Sequence, residues 1–204
     1  MNLLFALILS FVFTLSAHAA PAWGPVGGLT LGNGTFSVPG YTTSLKNRVG
    51  VAAGISTEFE LGDVFFLQPE LLYVSKGATL TVLMVDTDFS FDYVELPVFI
   101  KPKFAIGSGS AKAYALVGPS FGVMTKASAT VSGLGAGATI TDVERFEFSG
   151  NLGAGLEGAV GNFIGFLDLR YMHGFSNIVK NNLNGRLSYS NRTWLILVGA
   201  HFGM

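Results

Sequence analysis

Eight charged residues stand at positions from which they could do chemistry: Arg48, Glu58, Glu70, Glu95, Lys101, Glu157, Asp168 and Arg170. Two carboxylates held together, such as Glu70 and Glu95, can work as an acid/base pair, and a file of charges can pass protons or ions. The same residues can instead neutralise one another, because an isolated charge withdrawn from water is costly. The outcome depends on whether they share one enclosed face. Histidine offers less. His173 and Ser176 invite comparison with a His/Ser/acid hydrolase set. The spacing His-Gly-Phe-Ser puts them on opposite faces of a strand, and no carboxylate is placed as a third member. A polar residue at a rim is the preferred reading of each. His201 belongs at the other end of the structure, so no shared metal site with His173 is expected, and the chain has no cysteine for a thiolate site or a disulfide.

The glycine-rich segments Gly133–Gly137 and Gly153-Ala154-Gly155 lack the G-x-G-x-x-G spacing that cradles phosphate before a helix. The first reads as loop and the second as close packing on an inner face. A net charge of −1 and the lack of a basic stretch with interleaved aromatics argue against nucleic acid as a partner. No cofactor is expected.

The elements that hold these residues are strands. In Asp92–Phe104, Val94, Leu96, Val98 and Ile100 alternate with Tyr93, Glu95, Pro97, Phe99, Lys101 and Lys103. In Phe163–Tyr171, Leu167 and Leu169 alternate with Asp168 and Arg170. Phe65–Lys76, Arg48–Leu61 and Asn191–Met204 repeat this period-two pattern. Eight such stretches are expected beyond residue 20, with Ala22–Leu31 and Lys112–Thr125 the least clearly two-faced. Alternation alone fits a soluble sandwich or a membrane barrel. The connections separate them. Those at Gly62-Asp63, Ala105–Ser110 and Gly161-Asn162 are tight, and those at Gly32–Lys46, Gly77–Thr87, Lys126–Val143 and Val179–Ser190 are long. Outer-membrane barrels sort their turns this way, short on the periplasmic side and long outside. Thr79–Val85, more apolar than an outer loop, can extend its hairpin beyond the bilayer.

Composition agrees. Only 12% of residues are charged and the mean hydropathy is +0.51, against roughly 25% charged in soluble domains. Met1–Ala19 reads as a signal peptide: Leu3–Leu15 is almost wholly apolar and Ala17-His18-Ala19 supplies a small-x-small cleavage site, although no Lys or Arg precedes the run. The other reading, a retained anchor, would need roughly 20 apolar residues to span comfortably. Trp23, Trp194, Tyr73, Tyr93 and Tyr171 are expected at membrane–water boundaries, least so Tyr93, whose face points inward. Pro69, Pro97, Pro102 and Pro119 fall inside strand-like runs and each removes a ladder donor.

Several segments resemble the porin-family outer-membrane β-barrel proteins of the PorT-like type. They are Leu67-Gln68-Pro69-Glu70-Leu71-Leu72-Tyr73 with Lys76-Gly77, Tyr93-Val94-Glu95-Leu96-Pro97, Ala115–Pro119, Gly153–Glu157, Leu169-Arg170-Tyr171 and Gly174–Ile178. The resemblance implies both termini on the periplasmic side and no settled activity. Such barrels usually end on an aromatic residue; here Phe202 precedes Gly203 and Met204.

The expectation is therefore an all-β protein, an eight-stranded antiparallel up-and-down transmembrane β-barrel over residues 20–204, in a bacterial outer membrane. A lumen just wide enough for side chains makes the eight charged residues a structural filling. The expected role is structural or interactive and not catalytic. Its partners would be outer-membrane lipid and, through the long loops, an extracellular ligand; the barrel is expected as a monomer. The alternatives are a narrow passive channel, a surface lipid-modifying hydrolase, and a soluble periplasmic lipocalin-like barrel.

Overall fold

β-branched and aromatic residues at every second position favour extended chain, and glycine or proline at the reversals lets consecutive strands pair. A computed structural model describes residues 21–38, 41–82, 85–131, 137–140, 143–178 and 188–203. The signal-peptide expectation lies outside these residues. The strands in chain order are β1 (Ala22–Val38), β2 (Tyr41–Ser44), β3 (Lys46–Glu60), β4 (Phe65–Val82), β5 (Val85–Ala105), β6 (Lys112–Val131), β7 (Gly137–Thr139), β8 (Phe146–Val160), β9 (Phe163–Gly174) and β10 (Ser188–His201). β1, β3, β4, β5, β6, β8, β9 and β10 pair with their neighbours in sequence, all antiparallel. β10 then pairs with β1 from Val26↔Gly199 to Ser37↔Ser188, which closes the sheet. The result is an eight-stranded up-and-down barrel without a free edge.

The two faces of each strand have opposite fates. Val198 and Leu152 are 58% and 63% exposed, whereas Glu95 and Asp168 are 1% and 2% exposed. Apolar side chains therefore cover the outside and ionic ones fill the inside, the reverse of a soluble barrel. Trp23, Trp194 and Tyr73 lie exposed on the outer face. Tyr93 is a correction to the girdle: it is fully buried in the lumen, because it alternates with outward-facing Val94.

The tight connections are as expected. β8 and β9 are joined by a two-residue turn whose Gly161 has a φ of 63°, a conformation that favours glycine. The long connections are built largely of paired strand. β4 and β5 remain paired as far as Val82↔Val85, with Thr79 Oγ1 and Thr81 Oγ1 each donating to a cross-strand aspartate, Asp88 and Asp86, at 2.5 Å. β1 runs on to Val38 and folds back through β2, and β6 runs on to Val131, against which β7 pairs. The ladders run on beyond the apolar wall, so the described parts of these connections are raised hairpins. Of Val179–Ser190, the described part begins with β10 at Ser188.

The prolines sit beside breaks in the ladder. Pairing passes from Pro69↔Val98 to Leu72↔Glu95 between β4 and β5, and from Pro97↔Ser120 to Ile100↔Val117 between β5 and β6. The missing donors thus cluster where the ladder is already open.

Candidate functional site in the barrel lumen

Small residues on the inner face make room for long charged ones. A Cβ on Gly155 would lie 2.4 Å from the ring of Tyr114, and one on Gly153 would lie 3.0 Å from the Arg170 side chain. This is the close-packing role expected of the Gly153/Gly155 segment. Around these gaps the lumen charges form three stacked groups.

The group nearest the tight turns is a closed ring. Lys101 Nζ donates to Glu58 Oε2 at 2.8 Å and to Glu157 Oε2 at 2.9 Å. Lys103 Nζ donates to the other oxygen of each, at 2.5 and 2.6 Å. Both ammonium groups also lie over aromatic faces, Lys101 at 4.0 Å from the Tyr114 centroid and Lys103 at 4.2 Å from that of Phe66. Beside the ring, His201 Nε2 lies 3.0 Å from Ser56 Oγ. Both residues are fully enclosed, so this His–Ser contact offers no site that a substrate can reach.

The middle group centres on Arg170. One side of its guanidinium donates to both oxygens of Glu70, at 2.5 and 2.9 Å, and its Nε and Nη2 donate to Asp168 at 2.9 and 2.8 Å. A planar fork can satisfy two carboxylates at once in this way, which an ammonium group cannot. Gln68 Nε2 donates to Glu70 at 2.6 Å, and Tyr114 donates to Asp168 at 3.3 Å.

The upper group is looser. Lys76 is ion-paired with Glu95 and lies 3.4 Å from Glu147. Neutral donors complete it: Ser120 Oγ to Glu95 at 3.1 Å and Asn191 Nδ2 to Glu147 at 2.9 Å. Above this group, Phe91, Tyr93, Met124, Ala127, Ile178 and Tyr189 form an apolar cluster across the end where the raised hairpins emerge. Ile178 is drawn in by backbone bonds, accepting from Glu144 N–H at 2.9 Å and donating to Tyr189 at 3.3 Å.

Seven of the eight expected residues lie in these groups. Arg48 does not: it is half-buried and donates to Ser75 Oγ and the Lys76 carbonyl, both at 3.3 Å. The register shift between β3 and β4 from Asn47 to Ala52 removes it from the regular ladder. Glu70 and Glu95 are held by different cations, so they do not form an acid/base pair. Three members had not been singled out: Lys76, Lys103 and Glu147. Lys76 and Lys103 were already visible on the inward faces of their strands. Glu147 was concealed because its strand starts directly after a stretch read as loop. The sign available was Phe146 and Phe148 flanking it in alternation.

His173 and Ser176 stay apart in role. His173 points outward, with Nδ1 3.5 Å from the Tyr171 hydroxyl, while Ser176 Oγ accepts the Phe148 N–H at 2.9 Å. Among the described residues no cluster of His, Cys, Asp and Glu could hold a metal.

A closed barrel that is apolar outside and ionic within, with short turns at one end and raised hairpins at the other, is an integral protein of a bacterial outer membrane. The family described as the outer membrane protein beta-barrel domain matches residues 19–180, and the chain belongs to it. The match is to the outer-membrane barrel family in general; the PorT-like kinship remains a resemblance. No curated protein matches. Among solved structures, the outer membrane protease OmpT of Escherichia coli is 9% identical with a TM-score of 0.51, over 90% of this chain and 96% of that one. Neisserial surface protein A is 13% identical with a TM-score of 0.49, over 88% and 97%. Ail, the attachment invasion locus protein of Yersinia pestis, is 19% identical with a TM-score of 0.42, over 89% and 98%. At such identities the likeness is one of fold alone.

Proposed function

We propose that this protein is a non-conducting, non-catalytic barrel that strengthens the outer membrane and presents its raised hairpins to a ligand at the cell surface. The observation that carries this reading is the filled lumen: three ion-paired groups in succession beneath an apolar cover. An ion crossing such a lumen would have to displace fixed charges from their partners, and each displacement leaves a buried charge uncompensated. The hairpins β1–β2, β4–β5 and β6–β7 stand above the lipid-facing wall and are the surfaces open to a partner. The hydrolase alternative finds little support, since Ser176 is engaged by backbone and His173 looks toward lipid.

The test is conductance of the purified barrel in planar bilayers, alongside Glu95→Gln. Both are expected to give no discrete current steps, and Glu95→Gln to unfold at lower denaturant. Ion-selective steps in the parent that vanish in a folded Glu95→Gln barrel would overturn the proposal in favour of a channel.

A further inference from the structure

The outer wall carries a concavity on its β6, β8 and β9 side. Pro119, Gly150, His173 and Arg192 are successive cross-strand partners along β6, β8, β9 and β10. Gly150 lacks a side chain where its face-mates Phe148 and Leu152 stand out. The result is a cleft of about 490 Å³ floored by Gly118, Pro119 and Gly150. Leu152 and Tyr171 wall one side, and Phe148 and Phe175 the other. Ring contacts run unbroken around it: Phe121–Phe148 at 5.2 Å, Phe148–Phe175 at 5.8 Å, Phe175–His173 at 5.2 Å, His173–Tyr171 at 6.3 Å and Tyr171–Trp194 at 5.0 Å. The rings are held by one another and not by the lumen.

We propose that this cleft seats one acyl chain of an anionic, phosphate-bearing lipid, with the lipid phosphate at Arg192 and His173. The cleft is continuous with the lipid-facing wall, so hydrocarbon is its natural occupant. An unfilled hollow would deny its lining the contacts that close packing supplies, and an unbranched chain fits a groove floored by glycine. The head-group argument is one of charge. Arg192 is exposed, makes no ion pair among the described residues, and is the cross-strand partner of His173. It stands two residues beyond Trp194 on the same face, at the aromatic boundary where phosphates lie. A guanidinium there can hold a phosphate by two hydrogen bonds.

The experiment uses Trp194 as reporter. The chain has two tryptophans, so Trp23→Phe leaves Trp194 alone beside the cleft. The barrel is refolded into phosphatidylcholine vesicles containing dibrominated phosphatidylglycerol, and in a second arm into phosphatidylglycerol vesicles containing dibrominated phosphatidylcholine. The brominated anionic lipid is expected to reach half-maximal quenching at a mole fraction about three-fold lower than the brominated zwitterionic one. Arg192→Gln is expected to bring that ratio to one while quenching by either lipid persists. Gly150→Leu, which fills the cleft, is expected to abolish the preference. Phe175→Ala, which removes a wall without crowding the strand, is expected to weaken it, and it keeps the test intact if Gly150→Leu does not fold. Equal quenching by the two lipids in the parent would overturn the proposal. So would an undiminished preference in either Phe175→Ala or Arg192→Gln.

Discussion

The two ends of the lumen solve the same problem differently. At the end with tight turns, two lysines and two glutamates form a ring in which every carboxylate oxygen accepts from one ammonium group. At the end with raised hairpins, one lysine serves two glutamates, and Ser120 and Asn191 supply the remaining donors. The first is balanced in charge; the second carries a carboxylate in excess and is closed by apolar side chains. Arg170 between them also faces two carboxylates, but its fork satisfies both bidentately. Charge balance and hydrogen-bond satisfaction are therefore separate quantities in this barrel, and substitutions can move one without the other.

The largest effect is expected at Arg170. In Arg170→Met, Glu70 and Asp168 lose their shared cation while remaining 2% exposed. Removing one partner of a buried pair typically costs about 3–5 kcal/mol. Urea titration in detergent micelles, followed by tryptophan fluorescence, should register a loss of that order, and unheated gel migration should show a smaller folded fraction. A loss below about 1 kcal/mol would mean that the middle group is hydrated and contributes little to stability.

Glu157→Gln comes next and addresses the balanced ring directly. It leaves Lys101 and Lys103 facing a single carboxylate. Leaving a buried charged donor short of a partner costs about 2 kcal/mol. The same titration should show an intermediate shift of midpoint with an unchanged slope. Lys103→Met in the Glu157→Gln background should then restore part of the loss, because it returns the ring to one cation and one anion. Failure of that rescue would show that the ring acts through geometry and not through charge balance.

The barrel itself was legible because its determinants are local. Val98, Leu169 and Ile196 alternate with Phe99, Arg170 and Leu197 in the sequence, and period-two alternation settles which side chains share a face whatever the neighbouring strand does. The turns at Gly161 and within Ala105–Ser110 were equally local. What was not legible depends on partners distant in sequence. Arg170 meets Glu70 across a separation of 100 residues, and no spacing within either strand announces it. Arg48 left its expected place because a register shift lies between β3 and β4. The raised hairpins were legible in part: Thr79–Val85 is more apolar than an outer loop and pointed to a hairpin carried beyond the bilayer, and in the fold Thr79 pairs with Asp88.

The smallest effect, and the sharpest test of the comparison, is expected from Glu147→Gln. Chemically it is the substitution made at Glu157, and the residue is just as enclosed, at 3% against 6% exposure. Its context differs. Glu147 is 3.4 Å from Lys76, which has Glu95 as a second, closer partner. A glutamine can keep the bond from Asn191 Nδ2 through its amide oxygen, and the group is left with one cation and one anion. Loss of a long ion pair is then offset by relief of repulsion between Glu95 and Glu147, so the net change is expected to stay within about 1 kcal/mol. If excess carboxylate is what distinguishes the upper group, Glu147→Gln should be at least about 1 kcal/mol milder than Glu157→Gln in the same micelles. Equal losses at both sites would instead make each carboxylate a scaffold for its hydrogen bonds, and the contrast between the two ends of the lumen would reduce to one of packing.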